Sequence, residues 1–264
     1  MNSWVWNGSA FDPCDAVPLS DRGFRYGMSL FESLRVQGGG AEHWEPHIQR
    51  LDAAAADRGF GAIAAALAAT RGLLDQCGVD GFARIYVTAG DGPPAAPANA
   101  PRVFVFIESR EAETADSCGL CIHEDTYHPP FRGLKTANYW FNCAALADAR
   151  ARGFGEALLF NDRSELVSAC CANVFLVREG RITTPPRSSG CRAGVVREWV
   201  IARRKVTECR VGRDDVLRAD EIFLTSSWAG VMPAATLEGR PLGPRSVGPG
   251  LAAEFRPAQK RNFD

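Results

Sequence analysis

The stretch Gly90-Asp91-Gly92-Pro93-Pro94-Ala95-Ala96-Pro97 limits the folds open to this chain more than any other. Proline has no backbone N–H to give to a ladder, so this run cannot be a central strand and must be a loop. On either side lie β-rich runs, Phe82–Ala89 and Val103–Ile107, which are predicted to pair. A strand is predicted over Trp4–Asn7, ended by an Asn-Gly turn, and another over about Ser29–Val36. Gly38-Gly39-Gly40 breaks the latter, and the pattern then suits a hairpin return. A helix is predicted from Glu45, with Pro46 in its first turn, where a missing N–H is tolerated. Ala53–Ala56 extend it with high helix propensity. Gly59-Phe60-Gly61 separates it from a second alanine-rich helix, about Ala62–Cys77.

The polar run Glu108–Ser117 has few apolar residues and reads as a linker. Beyond it, strands are predicted at Cys118–Glu124, Ala157–Phe160, Val174–Val177 and Glu221–Leu224, and helices at Asn138–Arg152 and Val195–Arg203. The fold class is α+β, with a small N-terminal α/β domain over 1–111, a linker over 112–117 and a larger C-terminal domain over 118–264. A chain of 264 residues with 46% apolar residues can bury a substantial core. A net charge of −1, with acids and bases mixed along the chain, asks for neither nucleic acid nor a membrane surface. The start, Met1-Asn2-Ser3-Trp4-Val5-Trp6, lacks the basic stretch and apolar core of a signal peptide, and no run is apolar enough to span a bilayer. A cytoplasmic protein is expected.

Nine cysteines, several inside apolar runs, read as small buried apolar residues. Cys118-Gly119-Leu120-Cys121 has the spacing of half a zinc site or a redox pair, but no second pair completes a tetrahedral set. The segment alternates like a strand, and no metal is expected.

Six short segments follow one another in a telling order. They are Tyr26-Gly27-Met28-Ser29-Leu30-Phe31-Glu32, His47-Ile48-Gln49-Arg50-Leu51, Leu134-Lys135-Thr136-Ala137-Asn138-Tyr139, Cys170-Cys171-Ala172-Asn173-Val174-Phe175, Gly194-Val195-Val196-Arg197, and Leu224-Thr225-Ser226-Ser227 leading to Pro233. Taken singly, Lys135 reads as a surface lysine at a helix start and Arg50 as a surface arginine covering Leu51. In this order, from about Trp4 to about Pro241, the chain resembles the class IV aminotransferases: branched-chain and D-amino-acid transaminases and aminodeoxychorismate lyase.

The resemblance implies the two-domain fold type IV architecture, with a barrel-like C-terminal sheet, cofactor between the domains and a second subunit completing the site in a homodimer. It implies pyridoxal 5'-phosphate held as a Schiff base on Lys135, whose amine must be neutral to attack although its ordinary pKa is about 10.4. Arg50 would hold the cofactor phosphate with its fork of donors. Gly194 would open a helix whose N-terminal amides, those of Val195 and Val196, face that phosphate. Ser226 and Ser227 would form the other side of the cup, or serve only as turn residues. Tyr139 would reach the phenolic oxygen of the cofactor, or else pack as a helix residue against Trp140.

Departures from the pattern sharpen the expectation. Where the family has a glutamate bonding the pyridine nitrogen, this chain has Ser168. Glu165, three residues away, would point to the opposite face of a strand. Val196 replaces a frequent threonine, Met28-Ser29 replaces Asp-Gly, and Ala89 stands where several transaminases carry a carboxylate-binding arginine. Arg25 and Arg35 are possible replacements, or ordinary solvated charges. Loss of the glutamate tilts the reading toward β-elimination on an amino-acid-like substrate: aminodeoxychorismate cleaved to p-aminobenzoate and pyruvate, in folate biosynthesis. A branched-chain or D-amino-acid transaminase, or a silent cofactor-binding homologue, is the alternative.

Overall fold

The computed structural model describes residues 2–38, 40–78, 80–109, 116–244 and 246–259. They fall into two compact units, one chiefly from Met1–Ala112 with Lys135–Asn138, the other from Glu113–Leu134 and Tyr139–Lys260. The linker expected at 112–117 lies largely outside the described residues.

The first unit contains β1 (Asn2–Trp6), β2 (Phe11–Pro13), α1 (Arg22–Tyr26), β3 (Ser29–Gln37), β4 (Gly40–Ala41), α2 (Trp44–Asp57), α3 (Ala64–Cys77), β5 (Gly81–Thr88) and β6 (Arg102–Ser109). Its strands form one antiparallel sheet in the order β2-β1-β6-β5-β3-β4. β5 and β6 pair from Gly81↔Ser109 to Thr88↔Arg102, so the proline-rich run is the loop of their hairpin. Buried Arg22 staples that loop by donating to the carbonyls of Ala89, Gly90 and Ala96. Buried Leu51 and Ala55 of α2, and Leu67 and Leu74 of α3, follow the helical repeat, while β3 buries Leu30, Leu34 and Val36. α2 packs on β3.

Lys135–Asn138 joins this unit, although it follows the expected domain boundary in sequence. Phe31 N–H donates to Lys135 O at 2.9 Å and Ala137 N–H to Ser29 O at 3.0 Å, with Leu30 and Thr136 bridged antiparallel between them. The segment thus extends the sheet beside β3. It also delays the next helix, expected from Asn138, to Trp140.

The second unit contains β7 (Cys118–Ile122), α4 (Trp140–Ala151), β8 (Glu156–Phe160), β9 (Leu166–Ala169), β10 (Asn173–Arg178), β11 (Arg181–Thr184), α5 (Val195–Arg203), β12 (Val206–Glu208), α6 (Arg213–Leu217), β13 (Glu221–Ser226), β14 (Gly230–Leu237), β15 (Arg240–Pro241) and α7 (Val247–Gln259). Its sheet runs β12-β11-β10-β13-β14-β7-β8-β9, with β15 on β14. β9, at one end of that order, also approaches β10, so the sheet curls toward closure. The period-2 alternation of β10 and β13 divides the interior. Val174, Leu176, Ile222 and Leu224 share a core with Leu120, Leu158 and Leu166. Phe175, Val177 and Phe223 face Val196, Trp199 and Val200 of α5 and Leu251 and Phe255 of α7. Cys118 and Cys121 lie in β7 as free thiols, Cys121 fully buried, in keeping with the strand reading. Among the described residues no helix is long and apolar enough to cross a membrane, and no cluster of three or more His, Cys, Asp or Glu side chains could hold a metal ion.

Candidate active site

The expected site residues sort into two groups, one per unit. In the first, Lys135 is half-buried, and its Nζ lies 4.1 Å from the centroid of the Phe31 ring. Beyond Phe31 on β3 stands Glu32, buried, with its carboxylate shared between two residues of α2. Arg50 grips it in a fork, Nε to Oε1 at 2.7 Å and Nη2 to Oε2 at 2.6 Å. His47, one turn earlier on the same helix face, meets Oε2 through Nδ1 at 2.8 Å. An ionised carboxylate only accepts, so Nδ1 carries the hydrogen. Burial alone would raise the Glu32 carboxyl, but the Arg50 charge and the two hydrogen-bond partners overcome it and hold it at about 2. Burial pushes His47 down, against its bond to Glu32, leaving it neutral beside a compensated ion pair. Arg50, expected at the cofactor phosphate, is therefore oriented by Glu32, a residue whose role the sequence reading missed. The signal was present: an acid inside the apolar run Leu30-Phe31-Glu32-Ser33-Leu34 needs a buried partner.

In the second unit, β10, β13 and the start of α5 converge. Asn173 opens β10 and pairs with Thr225 of β13, which precedes Ser226 and Ser227. The Asn173 side chain donates to Arg192 O at 2.8 Å, fixing the loop that enters α5. Gly194 is the N-cap, and a Cβ there would lie 2.0 Å from Asn173 Oδ1, so only glycine fits. The first-turn amides of α5 have no intrahelical acceptor, and the helix dipole favours an anion there. Val195 and Val196 turn their side chains inward, Val196 into the core beside Phe175, so this position contributes backbone alone. Ser226 Oγ accepts from Ala229 N–H at 3.1 Å in the turn between β13 and β14, and both serines are half-buried.

Tyr139, at the N-cap of α4, donates its hydroxyl to Cys170 O at 3.0 Å and accepts from Arg192 Nη1 at 3.1 Å. Burial pushes its phenol far up, so it stays protonated. Ser168 lies half-buried on β9, opposite Leu159 of β8. Glu165 does not replace the missing acid. Its carboxylate takes hydrogen bonds from Arg163, Asn161 and Ser189 and pairs with Arg210, and the Arg163 bond above all holds it at about 2. Glu156 of β8, also missed from sequence, accepts from Cys171 N–H at 3.2 Å, and burial raises its carboxyl to about 7. Of the two arginines considered for the place of Ala89, Arg35 pairs with Glu42 at 3.6 Å and Arg25 lies exposed over the Tyr26 ring.

Comparison with known proteins gives a consistent picture. The model of the family described as amino-transferase class IV matches residues 29–237. An aminodeoxychorismate lyase of Vibrio harveyi is 26% identical over 84% of this chain and 88% of its own length. A D-alanine aminotransferase of Bacillus licheniformis is 25% identical over 93% and 92%. The crystal structure of 4-amino-4-deoxychorismate lyase from Pseudomonas aeruginosa superposes with a TM-score of 0.87 at 26% identity, covering 97% of this chain and 98% of that one.

Proposed function

Because the chain belongs to the class IV aminotransferases, enzymes dependent on pyridoxal phosphate, we propose that it is a 4-amino-4-deoxychorismate lyase, releasing p-aminobenzoate and pyruvate by β-elimination. The residues present fit the cofactor: a lysine amine on a fixed backbone, and an α5 N-terminus whose first-turn amides have no intrahelical acceptor. Lys135 is the point of covalent attachment. By the resemblance, Val195 and Val196 would offer amides to the phosphate at the helix that Gly194 opens, with Ser226, Ser227 and Arg50 as further donors. By the resemblance, Tyr139 would lie toward the phenolic oxygen and Ser168 would stand at the ring nitrogen. Once released by substrate, Lys135 Nζ takes the proton from the substrate Cα and returns one later. A homodimer accords with large exposed apolar side chains such as Trp140, 87% exposed, and Leu19, 77% exposed. Sedimentation would show twice the chain mass.

The observation that carries the lyase reading is Ser168 at this position, with Glu165, the nearest acid in sequence, committed elsewhere. The bound cofactor supplies an electron-withdrawing ring, and a serine at its nitrogen weakens that withdrawal, which handicaps transamination more than elimination because the leaving group carries electrons away. A branched-chain or D-amino-acid transaminase is the alternative within the family. The deciding experiment is a spectrum of the protein with pyridoxal phosphate, followed by borohydride reduction, peptide mapping and a pyruvate assay with aminodeoxychorismate. Reduction should label Lys135 and pyruvate should form; Lys135→Ala should lose both. Amine exchange that depends on a keto acid, without pyruvate release, would establish the transaminase. Ser168→Glu should raise amine exchange relative to pyruvate release.

A further inference from the structure

Arg192 differs from other arginines of its unit, buried and exposed alike. Arg197 is paired with Glu198 and Glu208, Arg163 with Glu165, and Arg204 with Glu254. Arg192 has no carboxylate among the described residues. Its one side-chain hydrogen bond there is Nη1 to the Tyr139 hydroxyl, and its Cζ lies 4.9 Å from the centroid of that ring. Tyr139 is itself anchored by its bond to Cys170 O. The Arg192 backbone is equally fixed, its carbonyl accepting from Asn173 Nδ2 at 2.8 Å and from Gly194 N–H at 2.9 Å. The guanidinium is thus set in place with donors to spare. A half-buried cation lacking an internal counter-ion is costly unless an anion arrives. A planar fork matches a carboxylate.

We infer that Arg192, positioned by Tyr139, is the residue that binds a carboxylate of the substrate, in place of the arginine absent at Ala89. This rests on the proposed function and names the residue that would recognise the carboxylate of its substrate.

The test titrates pyruvate, with acetone as the uncharged control, into the cofactor-loaded protein and its Arg192→Leu, Arg192→Lys and Tyr139→Phe variants. Binding is followed by calorimetry and by the tyrosine difference spectrum. Pyruvate should bind the parent, and Arg192→Leu should weaken it roughly 10- to 100-fold, the range of a charge-assisted hydrogen bond. Arg192→Lys should recover part of the loss, Tyr139→Phe should weaken binding less than Arg192→Leu, and acetone should be indifferent to all three changes. Cofactor affinity and attachment at Lys135, read from the absorbance of the same samples, should be retained in Arg192→Leu. Pyruvate binding absent from the parent, or equal in parent and Arg192→Leu, overturns the assignment. So does a selective loss of cofactor affinity, which would give Arg192 to the phosphate. If Lys135 carries no cofactor but pyruvate binding still depends on Arg192, the carboxylate site stands and the proposed function falls.

Discussion

The Glu32–His47–Arg50 cluster and the Arg192–Tyr139 pair treat a partly buried guanidinium in opposite ways. In the first unit Arg50 has its own carboxylate, itself buried and supported by a neutral histidine. In the second unit Arg192 has a phenol, which orients the cation without cancelling its charge. The contrast teaches what each region contributes: one holds charge as internal structure, the other leaves it for a ligand.

Removing the acid from the compensated region would make it resemble the other. Glu32→Ala removes the carboxylate that holds a buried histidine and Arg50, and should cost about 3–5 kcal/mol in urea denaturation at neutral pH. The pH profile gives a second reading. Glu32 has a depressed carboxyl, about 2 when folded against 4.5 ordinarily. Its contribution is full above the ordinary value and lost as pH falls toward the folded one. The parent should therefore lose stability between about pH 4.5 and 2 more steeply than Glu32→Ala.

A smaller effect is expected at the uncompensated region. Gly194→Ala drives a methyl against Asn173 Oδ1 and should cost about 1–3 kcal/mol. Because Asn173 also holds the Arg192 carbonyl, cofactor and pyruvate affinities should fall together, separating this change from Arg192→Leu. A melting temperature equal to the parent's would mean the loop has slack.

The smallest effect concerns Glu156, which anchors Cys171, the neighbour of the carbonyl bonded by Tyr139. Its carboxyl is raised to about 7, so the folded state holds the proton more tightly than the unfolded one. That contribution is present below about pH 4.5 and lost as pH rises toward 7. Glu156→Gln should flatten stability over this interval, since an amide carries no charge to bury. An unchanged profile would show that Glu156 ionises freely.

The legible parts of the chain were those where local chemistry and tertiary structure agree. α5 runs over Val195–Arg203 as its pattern predicts, and the β5–β6 hairpin closes around the proline loop that announced it. β14 was missed because Pro233 argues against a strand; it pairs with Phe223, and the ladder to β7 begins only at Ala234. α7 was missed because Val247-Gly248-Pro249-Gly250 reads as a turn, yet these residues form its first turn, where proline lacks no needed bond. The order of motifs pointed to Lys135, whereas Arg192 was invisible in the sequence. An arginine without an acid looks like any surface arginine until the fold sets Tyr139 beside it and leaves the carboxylates elsewhere.

The pairing of Lys135–Ala137 with Ser29–Phe31 has a consequence for how the molecule is made. These partners are about a hundred residues apart in sequence, so joining them closes a long loop, a step that is entropically late and slows folding. A nascent chain that has emerged only as far as β6 has every strand of the first sheet, yet the start of β3 still shows an unpaired backbone edge. Expressing the first unit alone would make that exposure permanent, and a fragment ending near residue 109 should aggregate where the full chain does not. The segment that carries Lys135 is thus also the one that seals the edge.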